Sequence, residues 1–403
     1  MRRLAKAQPS LSQPAAARSR APFARRCGSA LGGLLLILAA CGQAAAPAAQ
    51  PAVSPAGAAS AASGQTEFDR IVAAAKKEGK LAVITQPGNP YRQLMDDFQN
   101  KYGITVEVYA GNTQDEIISK VVTERQAGQF NWDVLMRNAT QMYGGFKPLG
   151  DLDPIRPALV LPEVLDDSKW IGGFDGGWAD SEKSLAYTFV AYQDHTVWVN
   201  RNVLSEAQFN SVDQLWDPQW KGKWATQDIR TGGNATTTIV EWLALKGEDR
   251  VRALLRDQQP VLTQDRRQLA QWILRGQYPI ALAVDGPTML DFAGQGLDTS
   301  AVKPLVGDDP LTVKLSHGPG SVALFNKAPH PNAAKLLLNW LLSREGAADF
   351  AQRTGYNVRR LDVPVANAES ALDLKRKYLD TDDEQSYNTY YKKAIDIAKQ
   401  ELK

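Results

Sequence analysis

A glycine-rich segment in the middle of the chain has residue types that suit the binding of an anion. Its members are Arg230, Thr231, Gly232, Gly233, Asn234 and Ala235. The segment leads into an apolar stretch with helical spacing, and the free N–H groups and positive dipole at a helix start attract phosphate or carboxylate. Arg230 can add a bidentate contact. A plain turn into a helix has the same pattern, so the glycine pair alone is weak evidence of a site.

Several other polar residues stand where predicted strands end. Thr85 and Asn89 lie at the end of a buried strand, Asn138 follows another, and Asp285 closes the run QYPIALAVD. Ligands of open α/β sheets bind beyond the carboxyl ends of the strands, so these side chains are candidate ligand contacts. Asp285 can accept from a hydroxyl or pair with an ammonium, or it can simply cap a helix. His317, in the run SHGPG, is a further candidate, although a lone histidine is more often a structural hydrogen-bonding residue.

The motifs of common enzyme classes are missing from the sequence. It has no GxSxG elbow, no HExxH pair and no phosphate-binding loop of the Walker type. Cys27 and Cys41 both precede the predicted folded region, and the chain has only 3 histidines, so nucleophilic triads and cysteine-based metal sites are disfavoured. No metal site and no cofactor are predicted. A carboxylate pair for glycoside cleavage remains open.

The elements that must position the candidate residues alternate between strands and helices. Beginning at Thr66, helical spacing is followed by a strand over residues 80–86, a helix, a strand over 104–109, a helix and a strand over 133–136. Such alternation predicts a parallel sheet with helices on its faces. A second α/β unit follows, with strands predicted over residues 224–228 and 277–285.

Two long extended runs, residues 188–200 and 311–325, are predicted to cross between these units. The sequence therefore predicts an α/β protein with two lobes that share a two-strand hinge. The predicted divisions are a signal peptide at 1–40, a disordered tether at 41–65, the first part of lobe 1 at 66–190, lobe 2 at 191–315, and a return to lobe 1 with C-terminal helices at 316–403.

The N-terminal region is predicted to be a targeting segment. A basic stretch precedes the apolar run ALGGLLLILAA, which is long enough for a signal peptide and too short to cross a bilayer. The run ends in LAACG, which resembles the bacterial lipobox, so Cys41 is the predicted lipidation site. Residues 42–65 are almost entirely Ala, Pro, Ser, Gly and Gln, a composition that buries too little apolar surface to fold.

The charge of the predicted mature part argues against nucleic acid as a partner. The first 40 residues hold seven basic side chains and no acid, and without them the chain carries 39 basic and 44 acidic side chains, a net charge of −5. Neutralising phosphates requires clustered Lys and Arg.

The segment at 326–346, NKAPHPNAAKLLLNWLLSREG, closely resembles the signature of family 1 extracellular solute-binding proteins, the iron(III), thiamine and polyamine group. Other matching pieces are KEGKLAVIT, YGITV, WDV and PQWKGKW, and the resemblance covers about residues 68–365. It implies the type 2 periplasmic-binding-protein fold, a non-catalytic role in import with ABC permease and ATPase subunits, and a monomer. It also identifies the 230–235 segment with the family's anion-cradling loop.

The resemblance does not extend to the iron chemistry of the family. Iron-binding members have two adjacent tyrosines after the strand that corresponds to 277–285, and this chain has Val284, Asp285, Gly286 and Pro287 there. Tyr278 lies at the other end of that strand. The sequence therefore favours a small organic, anionic solute, with ferric iron as the first alternative.

The predicted protein is lipid-anchored on the outer face of the cytoplasmic membrane, facing the periplasm where an outer membrane exists. An envelope-anchored hydrolase is the alternative from another functional class. A sensor that presents its bound solute to a membrane receptor would use the same fold.

Overall fold

The computed structural model describes residues 55–111 and 113–402. The predicted signal peptide, Cys41 and the first part of the predicted tether lie outside the described residues. A helix already begins at Pro55, so the prediction of a disordered tether up to residue 65 is wrong for its last part. The second half of this helix has an apolar face, on which Ile71 and Ala75 are buried in the core. Packing of that face stabilises the helix.

The described residues form thirteen strands, numbered here in chain order. They are β1 (Lys80–Ile84), β2 (Thr105–Tyr109), β3 (Val134–Arg137), β4 (Leu152–Asp153), β5 (Tyr187–Thr188), β6 (Tyr192–His195), β7 (Val197–Asn200), β8 (Trp224–Gln227), β9 (Val261–Thr263), β10 (Ile280–Leu282), β11 (Val302–Pro304), β12 (Val313–Ser316) and β13 (Ser321–Phe325).

The same described residues form thirteen α-helices, which are numbered in the same way. They are α1 (Pro55–Glu78), α2 (Asn89–Tyr102), α3 (Gln114–Gln126), α4 (Ala139–Gln141), α5 (Pro162–Leu165), α6 (Asn234–Lys246), α7 (Glu248–Gln258), α8 (Arg266–Leu274), α9 (Gly286–Gly294), α10 (Pro331–Leu342), α11 (Arg344–Thr354), α12 (Glu384–Ser386) and α13 (Lys392–Glu401).

The first lobe is built on a sheet with the strand order β2-β1-β3-β13-β4, and β5 also pairs with β13. Strand β1 is parallel to both β2 and β3, as the alternating pattern predicted, while β13 returns antiparallel to β3. Helix α10 packs its apolar face on this sheet. The carboxylate of Glu78 accepts hydrogen bonds from the backbone N–H groups of Asn332 (3.1 Å) and Ala333 (2.8 Å), which caps the start of α10.

The second lobe has its own sheet, with the order β11-β7-β10-β8-β9. Strands β8, β9 and β10 are mutually parallel, and β7 joins antiparallel to β10. Consequently the carboxyl ends of β8 and β10, which lead into the 230–235 segment and to Asp285, lie at the same edge of the sheet.

The chain crosses between the lobes along the two predicted runs. Strand β6 connects β5 of the first sheet to β7 of the second, and β12 leads back to β13; β6 and β12 pair antiparallel, with His195 opposite Val313 and Tyr192 opposite Ser316. The predicted two-strand connection between two α/β lobes is therefore present.

A third crossing near the C-terminus was not predicted. On the first-lobe side, the Lys147 ammonium donates to Glu384 (2.8 Å) and the Tyr143 hydroxyl donates to the carbonyl of Asp382 (3.0 Å). A π-helical turn, Tyr387–Tyr391, then leads into α13. The apolar face of α13 is buried in the second-lobe core, so the assignment of the C-terminal helices to the first lobe is wrong for this helix.

Within the described part of the chain, no helix combines the length and the apolar composition required to cross a membrane.

Candidate functional site

A cavity of about 630 Å³ lies where both lobes meet the first crossing strand. Its wall includes Tyr192 to His195 of β6, Asn234 and Asp285 of the second lobe, and Tyr356 and Glu369 from the chain that follows α11. The lining therefore combines aromatic rings with carboxylates and amides contributed by distant segments. Cavities of this size and composition are typical of small-molecule sites.

Acidic and phenolic groups are concentrated along β6. The Asp194 carboxylate forms an ion pair with Lys314 of β12 at 3.4 Å, and both side chains are largely buried. Burial raises the pKa of Asp194, although the Lys314 charge opposes this shift. The Lys314 ammonium also donates to the Thr237 hydroxyl (2.8 Å), so this ion pair joins the crossing strands to α6.

Two tyrosines stand beside these carboxylates. The rings of Tyr192 and Tyr356 have their centroids 5.2 Å apart, and the Ser316 hydroxyl donates to that of Tyr192 (3.2 Å). Burial raises the pKa of both phenols, and the negative charges of Asp194 and Asp285 raise it further. Both tyrosines therefore keep their hydroxyl protons and are neutral at physiological pH.

The structure brings two of the predicted residues, Asp285 and Asn234, to this cavity. Asp285 precedes α9, and its Oδ2 accepts from the backbone N–H (3.2 Å) and hydroxyl (2.6 Å) of Thr288. This carboxylate therefore caps a helix and also faces the cavity. Asn234 is the first residue of α6, as the Gly-rich segment predicted.

Arg230 is arranged differently from the predicted anion clamp. Its guanidinium forms a bidentate pair with Asp228, with Nε–Oδ1 at 2.8 Å and Nη2–Oδ2 at 2.9 Å, and this pairing lowers the pKa of Asp228. It lines a separate cavity of about 280 Å³ beside Leu255 and Leu402. The Thr231 hydroxyl likewise donates to the Asp228 carbonyl (2.9 Å). Both side chains are thus held by Asp228.

The two glycines of the segment adopt a positive-φ backbone conformation that favours glycine, with φ 86° at Gly232 and 96° at Gly233. A Cβ placed on Gly232 would lie 2.8 Å from the hydroxyl of Tyr391, which belongs to the third crossing. The loop therefore has the predicted turn geometry, but the C-terminal segment packs against it.

The first-lobe candidates lie at the carboxyl edge of their sheet, and none of them lines the interlobe cavity. The Thr85 hydroxyl donates to the carbonyl of Gln86 (3.0 Å), and Gln86 in turn donates through its side-chain amide to Asn138 (2.7 Å). Asn89 is exposed at the start of α2.

His317 lies in a hydrogen-bonded network and does not line the interlobe cavity. Its ring is buried, with Nδ1 2.9 Å from the carbonyl of Val190 and Nε2 3.1 Å from the Asp380 carboxylate. Its backbone N–H donates to Asp382 (3.1 Å). Both ring nitrogens thus have protein partners, an arrangement that does not favour the predicted ligand contact.

Sequence reasoning missed Tyr192, Asp194 and Tyr356 in the cavity, and Arg137 at the edge of the first sheet. The available signal was a charged residue in or directly after a predicted strand, Asp194 within the extended run 188–200 and Arg137 just after the strand 133–136, because burial of an ionised group requires a specific reason. Among the described residues, no group of three or more His, Cys, Asp and Glu side chains is placed to hold a metal ion.

The sequence profile of a family described as bacterial extracellular solute-binding protein matches residues 93–371. Comparison with curated protein sequences gives no match.

Several solved structures resemble the fold. The ferric binding protein from Campylobacter jejuni has a TM-score of 0.62 and 14% identity, over 79% of this chain and 98% of that protein. Iron-bound HitA from Pseudomonas aeruginosa gives 0.58 and 16%, over 80% and 98%. AfuA from Actinobacillus pleuropneumoniae, with fructose-6-phosphate bound, gives 0.57 and 20%, over 80% and 98%. At these identities the likeness establishes the fold alone, and it confirms the predicted two-lobed, type 2 periplasmic-binding-protein architecture.

Proposed function

This chain belongs to the bacterial extracellular solute-binding protein family, and from that premise we propose that it is the substrate-binding lipoprotein of an ABC importer that captures a small organic solute between its lobes. The observation that carries the proposal is the cavity of about 630 Å³ formed by β6, the second lobe and the segment after α11. A solute that touches both lobes stabilises one relative arrangement of them, and the size of that effect is its differential affinity for the two arrangements. Binding and release then deliver the solute to a permease without chemistry.

We expect the solute to carry an anionic group, as the sequence favoured. The Arg230 side chain is poorly placed to bind this anionic group, because its guanidinium already forms an ion pair with Asp228. The polar remainder of the solute would contact Asp285, Asn234 and Asp194, whose oxygens and amide suit hydroxyl and amino groups.

Ferric iron is the second candidate, and one observation favours it. Tyr192 and Tyr356 lie beside Asp194 and Asp285, and phenolate and carboxylate oxygens are hard ligands suited to a hard ion. Against it, burial raises the pKa of both hydroxyls, so forming two phenolates here requires the metal to displace tightly held protons.

Native mass spectrometry of the mature protein, purified from the envelope of cells that make it, separates these candidates. We expect one organic solute as a mass excess over the apo chain, together with a higher melting temperature than the solute-free protein has. A mass excess of one iron, with a visible absorption band that disappears in Tyr192→Phe, would establish the second candidate. A chain that carries nothing, and that no sugar, phosphate ester, carboxylate, polyamine, thiamine or metal stabilises, would contradict both.

The lipid anchor is the second part of the proposal, and it rests on the LAACG sequence around Cys41. Replacing Cys41 with Ser removes the sulfur that would receive the lipid, so we expect the variant to move from the membrane fraction to the soluble envelope fraction. Cys27→Ser is the matched control and should fractionate like the wild type. Membrane retention of Cys41→Ser would refute the anchor while leaving solute binding untouched.

A further inference from the structure

Arg137 is a buried arginine at the carboxyl edge of the first-lobe sheet. It is the last residue of β3, and only 3% of its surface is exposed. Its Nη1 donates to the carbonyl of Thr85 (2.8 Å), just beyond β1, and to that of Gly111 (3.0 Å), beyond β2. One guanidinium therefore spans the ends of three adjacent parallel strands, which is where ligands of such sheets bind.

The guanidinium of Arg137 has no acidic partner, and one of its nitrogens has no hydrogen-bond acceptor. Among the described residues no carboxylate forms an ion pair with it, although the charge of Glu116 acts on it, and its Nε is buried with no hydrogen-bond partner. Burial lowers the pKa of Arg137 to about 10. The nearest comparison in the chain is Arg360, also buried, which pairs with Asp362 (2.8 Å) and Glu163 (3.1 Å). Burying an ion without an oppositely charged partner costs free energy, so an anion that paired with Arg137 would offset this cost.

The surroundings of Arg137 connect it to the interlobe cavity. Burial raises the pKa of the Tyr91 hydroxyl, near the start of α2, and Tyr356 of the cavity raises it further. The charge of Arg137 lowers this pKa, and the charge of Asp285 from the second lobe raises it. Tyr91 therefore lies within electrostatic range both of Arg137 at the strand edge and of residues that belong to the opposite lobe.

We propose that Arg137 binds an anionic group of the solute, a carboxylate or a phosphate, at the carboxyl edge of the first-lobe sheet. The proposal rests on the solute-binding function proposed above and assigns the anion to the first lobe instead of the Arg230 segment. A guanidinium presents parallel N–H donors that match two oxygens of either group. The anion supplies the missing acceptor and the missing charge together.

The test compares anionic probes with uncharged and cationic ones on wild type, Arg137→Gln and Arg137→Lys. Thermal shift and calorimetric titration use inorganic phosphate, glucose 6-phosphate, succinate, glucose and putrescine. We expect at least one anionic probe to bind the wild type and to lose about 10- to 150-fold in affinity in Arg137→Gln, the usual range for a charge-assisted hydrogen bond. Arg137→Lys should fall between, because lysine keeps the charge but not the planar fork. The phosphate and succinate arms distinguish the two anion chemistries.

Arg359→Lys is the matched control, because Arg359 is equally buried and its Nη atoms also donate to backbone carbonyls, among them Thr188 (3.3 Å) and Gly173 (3.2 Å). It should lower the melting temperature without changing anion affinity, whereas a purely strand-joining role of Arg137 would give the same result at both positions. Equal anion affinity in wild type and Arg137→Gln overturns the proposal, and so does the absence of any anion binding. If glucose or putrescine binds while the anions do not, Arg137 is wrongly assigned and the solute-binding function stands.

Discussion

Replacing Asp133 with Ala is expected to lower the free energy of unfolding by about 3–5 kcal/mol. The carboxylate is fully buried and accepts three hydrogen bonds. Its Oδ2 accepts from the N–H of Ala82 (2.7 Å) and from Nδ1 of His330 (2.8 Å), and its Oδ1 accepts from the N–H of His330 (2.7 Å). Alanine leaves the buried N–H of Ala82 and the two partly buried donors of His330 without this acceptor.

Urea unfolding, followed by tryptophan fluorescence, measures this loss. Asp175→Ala is the control, because Asp175 is largely exposed and pairs with the partly exposed Arg156, so we expect a cost of at most about 1 kcal/mol. Asp133→Asn should be intermediate, since the amide keeps one acceptor oxygen but directs an N–H at donors. Equal stability of Asp133→Ala and Asp175→Ala would show that the three hydrogen bonds contribute little.

This network explains why two separated sequence motifs carried the family resemblance. Asp133 comes from the WDV segment and His330 from the APHP segment, which lie 197 residues apart and meet beside β1. Both motifs hold the first lobe together, and neither lines the interlobe cavity. A resemblance based on them therefore predicts the fold well and says little about the solute.

The fold was accessible from the sequence where local patterns decide it. Alternating apolar runs and glycine helix ends, such as Gly103 after α2 with φ 68°, indicate strands and helices without knowledge of their neighbours. The position of α13 was not accessible in this way. Buried Ala394, Ile397 and Ala398 give it an apolar face, but periodicity does not tell which lobe covers that face.

The candidate site was less accessible because its residues depend on long-range pairing. The sequence suggested that Arg230 was available to bind an anion. In the structure, Asp228, two positions earlier, accepts two hydrogen bonds from its guanidinium within one short turn. Tyr192 and Tyr356 face each other across 164 residues, and nothing in either local segment indicates the other. Asp285 was found because the end of a strand is a local feature.

A second expected result is that the protein loses stability as the pH rises above neutrality, and that His317→Gln removes the part of this dependence that comes from the histidine. Burial lowers the pKa of His317, but the charge of Asp380, its hydrogen bond and the charge of Asp382 outweigh burial, and the net pKa is raised. The folded state therefore holds the proton more tightly than the unfolded state. This contribution is fully present below the unfolded pKa, about 6.5, and is lost as the pH rises through the folded pKa.

His317 has this influence because it joins all three crossings between the lobes. It lies between β12 and β13, it contacts the carbonyl of Val190 just before β6, and it pairs with Asp380 in the segment that leads to α13. The Asp380 carboxylate is 41% exposed, so water screens the pair, and we expect His317→Gln to cost about 1–3 kcal/mol near pH 6.

Melting temperatures between pH 5.5 and 9, for wild type and His317→Gln, measure both effects. The two curves should be furthest apart at the acidic end and approach each other as the pH rises, because deprotonation of His317 removes in the wild type what the substitution removes at every pH. Asp380→Asn, which keeps a hydrogen-bond acceptor but removes the charge, should flatten the curve in the same way with a smaller loss at pH 6. Parallel curves for wild type and His317→Gln would show that the histidine stays neutral and only joins the three segments by hydrogen bonds.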